Sequence, residues 1–214
     1  MKLYYLSGCN APPPFIICSG IIMLKNTVKN FNEDWFLASV LNAHIDAMIN
    51  RYSCLLALRM DFFYKKESAR YSHLNHQTLE HDLRVLMEKM TKEKGVVGYF
   101  WVVEWTERHR YHAHVVFWLD RQKTQHSYPF ALTANTFWEE ITHRDGVSHR
   151  CEYRPQYSRN INIPVRYNDP ESINNIRHVL SYLAKEEQKE GLCAYGCNDV
   201  PPRSAAGRPR KPGP

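Results

Sequence analysis

Two β-rich runs, residues 97–105 and 111–119, stand on either side of the polar stretch TERHR, and this makes an antiparallel hairpin the simplest fold for the middle of the chain. Side chains two apart on a strand point to the same face, so His112 and His114, which flank Ala113, project together. Imidazole is costly to place among Val115, Val116 and Phe117 without a partner. Two imidazoles with Cα atoms about 6–7 Å apart can share one divalent ion. Glu104, eight residues before His112 and across the loop, offers a carboxylate to the same point. Register across a loop is not set by sequence, so Glu107 and His109 compete for that place. Two imidazoles and one carboxylate with open positions suit Mg2+, Mn2+ or another labile divalent ion.

The rest of the chain supplies helices and strands around this hairpin. Asp34 can cap a helix running to about residue 51, with Phe36, Leu37, Val40, Leu41, Ile45 and Met48 recurring at helical steps. Residues 53–63 (SCLLALRMDFF) read as a buried strand leading into a polar loop over 64–72. Asn75 can cap a second helix carrying Leu79, Leu83, Leu86 and Met90 on one stripe, with Gly95 ending it. A third helix is expected over 132–144, capped by Thr133 or Asn135 and stopped at Asp145-Gly146, with short extended segments near 151–154 and 161–167. The last helix opens at Asp169 with Pro170 in its first turn and is expected to reach about residue 190, where Gly191 stops it. Mixed, mostly antiparallel strands flanked by helices define an α+β domain.

At 214 residues, 43% of them hydrophobic, the chain is long enough for one cored domain, and it is neither wholly disordered nor a disulfide miniprotein. No apolar run approaches the roughly 18 residues of a membrane span. Residues 1–22 read as a dispensable leader, 23–195 as the domain and 196–214 as a basic Pro/Gly-rich tail. The formal charge is +6, and Arg203, Arg208, Arg210 and Lys211 in the last 14 residues account for four of it. Polyanion binding therefore follows from where the charge lies rather than from its size. The six cysteines have no framework spacing, and Cys193-x3-Cys197 has no second pair, so they read as thiols in a reducing cytoplasm.

On the last helix Ile173, Ile176, Leu180 and Leu183 form the apolar stripe, and Tyr182 falls about 140° from its centre. That wheel puts Tyr182 on a polar face with His178 and Lys185. A phenol has a pKa near 10 and needs help to act as a nucleophile. A lysine one turn away favours the phenolate and can steady a phosphate, and a divalent ion can polarise the phosphorus centre.

His112-Ala113-His114 followed by Tyr182-x-x-Lys185 resembles the paired motifs of the His-hydrophobe-His (HUH) rolling-circle endonucleases. The strand ending LRMDFF stands where that superfamily keeps its first, weakly specific motif. From about residue 30 onward the chain resembles inovirus-type replication proteins of filamentous phages and their prophage relatives of the YagK/YfjJ type. The resemblance implies a palm-like antiparallel sheet with the histidines on a central strand and the tyrosine on a helix facing them. It implies that Tyr182 attacks single-stranded or extruded origin DNA, becomes linked to the 5′ phosphate and releases a 3′-OH. His112, His114 and Glu104 would hold the ion while Lys185 assists at the phosphate. Some relatives carry a second tyrosine four residues earlier; here that position is His178, which implies a single-tyrosine enzyme. The short chain leaves no room for a fused helicase, so a host helicase and polymerase are expected partners, in the bacterial cytoplasm and without a membrane.

Arg108 and Arg110 on the hairpin loop, together with His178, are the expected DNA contacts near the ion. Arg150, Arg154, Arg159 and Arg166 alternate with tyrosines in a pattern that suits a single strand. Gly207-Arg208-Pro209-Arg210-Lys211 resembles half of an AT-hook, although a nonspecific electrostatic tether accounts for it equally simply. Three other functions stay open: a non-cleaving origin or operator binder acting as a repressor, a transposase or relaxase of the same chemistry, and a metal-dependent hydrolase of small phosphoesters.

Overall fold

The computed structural model describes residues 32–73, 75–189 and 191–203. The expected leader over 1–22 and the tail cations Arg208, Arg210 and Lys211 lie outside the described residues. Asp34 caps α1 (Trp35–Arg51), its carboxylate accepting from the amides of Phe36 and Leu37. β1 (Cys54–Tyr64) and α2 (Gln77–Thr91) follow, then the hairpin strands β2 (Val96–Thr106) and β3 (Arg110–Asp120). Next come α3 (Tyr128–Ile141), β4 (Gly146–Arg150), β5 (Val165–Arg166), α4 (Pro170–Ser181), a 3-10 turn (Tyr182–Ala184) and β6 (Tyr195–Cys197). The fold is α+β, as the strand and helix pattern requires.

All six strands join one antiparallel sheet in the order β4-β1-β3-β2-β6, with β5 also pairing β1. The pleat sorts side chains by parity. Leu56, Leu58, Met60 and Phe62 of β1 join Val115, Phe117 and Leu119 of β3 under α2 and α3. Leu55 and Ala57 join Val102, Val116 and Trp118 on the opposite face, under α1 and α4. Parity puts Arg59, Asp61, Glu104, His112 and His114 on this second face, where the apolar layer under α1 and α4 gives way to polar groups.

Three local readings need correction. The third helix begins at Tyr128, four residues earlier than expected, because Pro129 is tolerated in a first turn. Its core stripe is Ala131, Ala134 and Trp138, while Leu132 is exposed. The extended segment expected near 151–154 lies instead at β4, where Gly146 is needed for close approach: a Cβ there would run into the Trp138 indole and the Thr142 hydroxyl. The left-handed residues that end the preceding turn are His143 and Arg144, not that glycine. The last helix stops at Ser181, nine residues short of expectation. After the 3-10 turn Lys185 is extended and bridges Glu33, with Asp34 N donating to Ala184 O and Glu186 N to Asn32 O.

His44, absent from the expected stripe of α1, is buried there, and Trp118 Nε1 donates to its Nε2 at 3.1 Å. Burial pushes its pKa down to about 4. The unfolded chain binds this proton below about 6.5 and the folded chain does not until about 4, so the contribution is whole above 6.5 and lost as pH falls. The expected loss is about 3 kcal/mol between pH 6.5 and 4. Denaturant titrations across that range should show a shallower pH slope in His44→Leu than in the native chain; equal slopes would remove His44 as the cause.

Candidate metal and tyrosine site

The hairpin closes at Thr106 and Arg110, and its register sets Glu104 directly opposite His112. This decides the open choice of carboxylate: Glu107 is exposed in the turn, and His109 packs its ring on Phe63. Glu104, His112 and His114 each offer one ligand atom, and these atoms lie within 4.8 Å of one another. Glu104 Oε2 is 3.2 Å from His114 Nε2 and 4.0 Å from His112 Nε2.

The two imidazoles are held differently. His112 Nδ1 is 3.0 Å from the carbonyl of Arg110, so Nδ1–H donates there and the lone pair sits on Nε2. That Nε2 is buried and has no hydrogen-bond partner among the described residues. Burial, then the neighbouring His114, pushes the His112 pKa down to about 4. A neutral imidazole with a bound Nδ1–H and an unused Nε2 has the arrangement of a metal ligand. His114 Nδ1 donates to Asp61 Oδ1 at 2.5 Å. Burial would lower the His114 pKa, but the Asp61 and Glu104 carboxylates outweigh it and hold the group above its ordinary value. The donor set therefore fits a divalent ion, with Asp61 orienting one ligand from behind.

The 3-10 turn brings the phenol to this group. The rings of His114 and Tyr182 stand 5.9 Å apart, edge to face. Lys185 Nζ directs its three donors to Tyr182 Oη, Gln188 Oε1 and Glu104 Oε2, the last at 3.0 Å. Lys189 Nζ reaches Glu104 Oε1 at 3.0 Å and the Lys185 carbonyl at 2.6 Å. Arg59 lies over the Tyr182 ring, 5.5 Å from its centroid. Burial would raise the Glu104 carboxyl, yet His114, Lys185 and Lys189 hold it well below the usual range. Burial, with the Glu104 charge behind it, pushes the Tyr182 phenol up. Burial pulls the Lys185 ammonium down against the opposing pull of Glu104.

The exposed polar helix face expected for Tyr182 and Lys185 is thus corrected. Tyr182 is 4% exposed and Lys185 2%, while His178 alone of the three is exposed. Partial desolvation, then the Arg159 charge, lowers the His178 pKa. Arg110 is exposed at the hairpin turn and lies over the Trp105 ring. Arg108 is half-buried, its carbonyl accepting from Tyr71 Oη. Asp61, Arg59 and Lys189 escaped the sequence reading. A signal existed in β1, where Arg59 and Asp61 alternate within an apolar run that has no reason to bury charge. Lys189 gave none, because its role depends on the chain leaving the helix at Ser181.

A family model described as replication-associated protein ORF2, which takes in phage replication proteins, matches residues 60–191, more than half of the chain. The chain belongs to this family. No curated protein matches it in sequence. The region matched by the replication-associated family begins one residue before Asp61 and spans both histidines, Tyr182 and both lysines. Among the described residues no helix is long and apolar enough to cross a membrane.

Calorimetric titration with Mn2+ should find one site that is lost in His112→Ala and in Glu104→Gln. Asp61→Asn, which keeps the ligands but not the orienting carboxylate, should weaken binding by roughly 10–100-fold. Unchanged affinity in Glu104→Gln would exclude this carboxylate as a ligand.

Proposed function

We propose that this chain nicks and rejoins single-stranded or extruded origin DNA, as an HUH-type initiator of rolling-circle replication of the filamentous-phage and prophage kind. The observation that carries the reading is the single ammonium of Lys185, which contacts both the Tyr182 hydroxyl and the Glu104 carboxylate. Nucleophile and metal-capable group thereby face one point. Membership of a replication-associated family supports the biological setting.

The chain's own groups account for most of the chemistry. Arg59, Lys185 and Lys189 stand against the carboxylates of Asp61 and Glu104, which leaves an excess positive charge suited to a phosphodiester. Tyr182 Oη attacks phosphorus, the 3′ oxygen leaves with the bonding pair, and the 5′ phosphate stays on the phenol. Lys185 donates to that phenolic oxygen and so favours the ionised form. A bound Mg2+ or Mn2+, held by Glu104, His112 and His114, would supply Lewis-acid polarisation of the phosphate. Positive charge near Glu104 also offsets the carboxylate that, after burial, raises the phenol.

Tyr182 is buried, so a phosphate reaches it only when the segment 185–189 shifts. That segment is pinned by Glu186 N to Asn32 O, by Trp105 N to Gln188 O and by Lys189 to Glu104. A strand could approach past Arg108 and Arg110 on one side. On another, an open groove lined by Tyr153, Tyr157, Arg159 and Asn160 fits the cation and ring pattern of single-strand binding. Host helicase and polymerase would complete replication. The burial of Tyr182 equally favours a second reading, a non-cutting origin binder.

Incubation with origin-containing single-stranded DNA and Mn2+ separates the two. The native chain should form an adduct that survives a denaturing gel, and Tyr182→Phe should form none. His112→Ala should lose cleavage by at least about 100-fold, as expected when a general electrostatic contribution is removed, while keeping most DNA binding. An adduct persisting in Tyr182→Phe would reassign the nucleophile, and no adduct from the native chain would favour the non-cutting reading.

A further inference from the structure

We propose a second divalent-metal site, for Zn2+, formed by Asp61, His149 and Cys151 at the β4 side of the same sheet face. β4 pairs β1 with His149 directly opposite Asp61. The ladder continues one step beyond the strand, where Cys151 N donates to Arg59 O at 2.9 Å. His149 and Cys151 are two apart, so both follow the pleat to the side on which Asp61 lies. One ligand atom from each of the three lies within 4.8 Å of the other two.

The donor types select the ion. A thiolate, an imidazole and a carboxylate form a borderline-soft set that Zn2+ prefers and Mg2+ does not. The Glu104, His112 and His114 group contains no sulfur, so the two sites differ in kind. Cys151 forms no disulfide. Zinc bonds of about 2.0–2.3 Å in a tetrahedron separate ligand atoms by about 3.5 Å, so the three side chains need close by little more than an ångström. Asp61 and Cys151 are buried and His149 is exposed, which opens the site to solvent from the β4 side and leaves the fourth position for water.

Asp61 links the two sites. Its Oδ1 accepts from His114 Nδ1, and a carboxylate has a second oxygen with which to meet an ion. Zinc at this place would clip the end of β4 to β1 and fix the carboxylate that orients His114. The inference stands on the β1–β4 register and does not depend on DNA cleavage.

Co2+ added to the reduced, full-length chain tests it, because only a cysteine ligand produces a near-ultraviolet thiolate-to-cobalt charge-transfer band. The band should appear in the native chain and in His112→Ala, vanish in Cys151→Ser, and fade when Zn2+ is added. His149→Ala removes an exposed side chain and should keep the fold, as judged by near-ultraviolet circular dichroism. It should weaken Zn2+ binding by at least about tenfold, the lower end of what a change behind a ligand costs. A native chain without the band overturns the proposal. So does a band that persists in Cys151→Ser, which would move the sulfur ligand to another cysteine, or unchanged Zn2+ affinity in His149→Ala.

Discussion

A fully buried carboxylate is the constraint around which this molecule is arranged. Glu104 has no exposed surface, and an ionised carboxylate in that position is tolerated only when paired and hydrogen-bonded. It receives His114 on one oxygen together with Lys185, and Lys189 on the other. Those partners come from β3 and from the chain beyond α4, so satisfying one charge ties the hairpin to the element that carries Tyr182. The same pairing gathers more positive than negative charge at one place, the electrostatic condition for holding a phosphate.

The sheet delivers the remaining groups by register alone. His149, Asp61, His114 and the Glu104–His112 pair come from four neighbouring strands, all with the same parity. Neighbouring strands lie about 4.8 Å apart, so facing side chains on them meet without any specialised loop. A one-residue slip in any pair would turn its polar members into the opposite, wholly apolar face. The cores on both faces therefore guard the register that the site needs. The apolar alternation of β1 and β3 does structural and functional duty at once.

Much of this was legible before any coordinates. The hairpin, the two imidazoles on one face, the facing Glu104 and the cap at Asp34 all follow from local rules with short sequence reach. Asp61 was visible only as an odd charge within a buried strand, since its partner His114 lies far along the chain. His149 and Cys151 carried no strand signal, because GVSHR is not apolar and becomes a strand only by pairing with β1. β6 gave no signal for the same reason: it is three residues long and exists through its ladder to β2.

Helical periodicity and pleat parity act over a few residues, so composition and spacing alone determined an α+β chain with a two-histidine strand and a tyrosine-lysine pair. What tertiary structure decided is where α4 ends. Nothing in residues 181–190 forbids another two turns of helix, and wheel geometry would have left Tyr182 and Lys185 on an outer face. Instead the backbone at 184–186 takes its hydrogen bonds from residues 32–34, and the Lys185 ammonium turns inward to a carboxylate on β2. Both partners are remote in sequence, and a buried charge outweighs the small preference for continuing a helix.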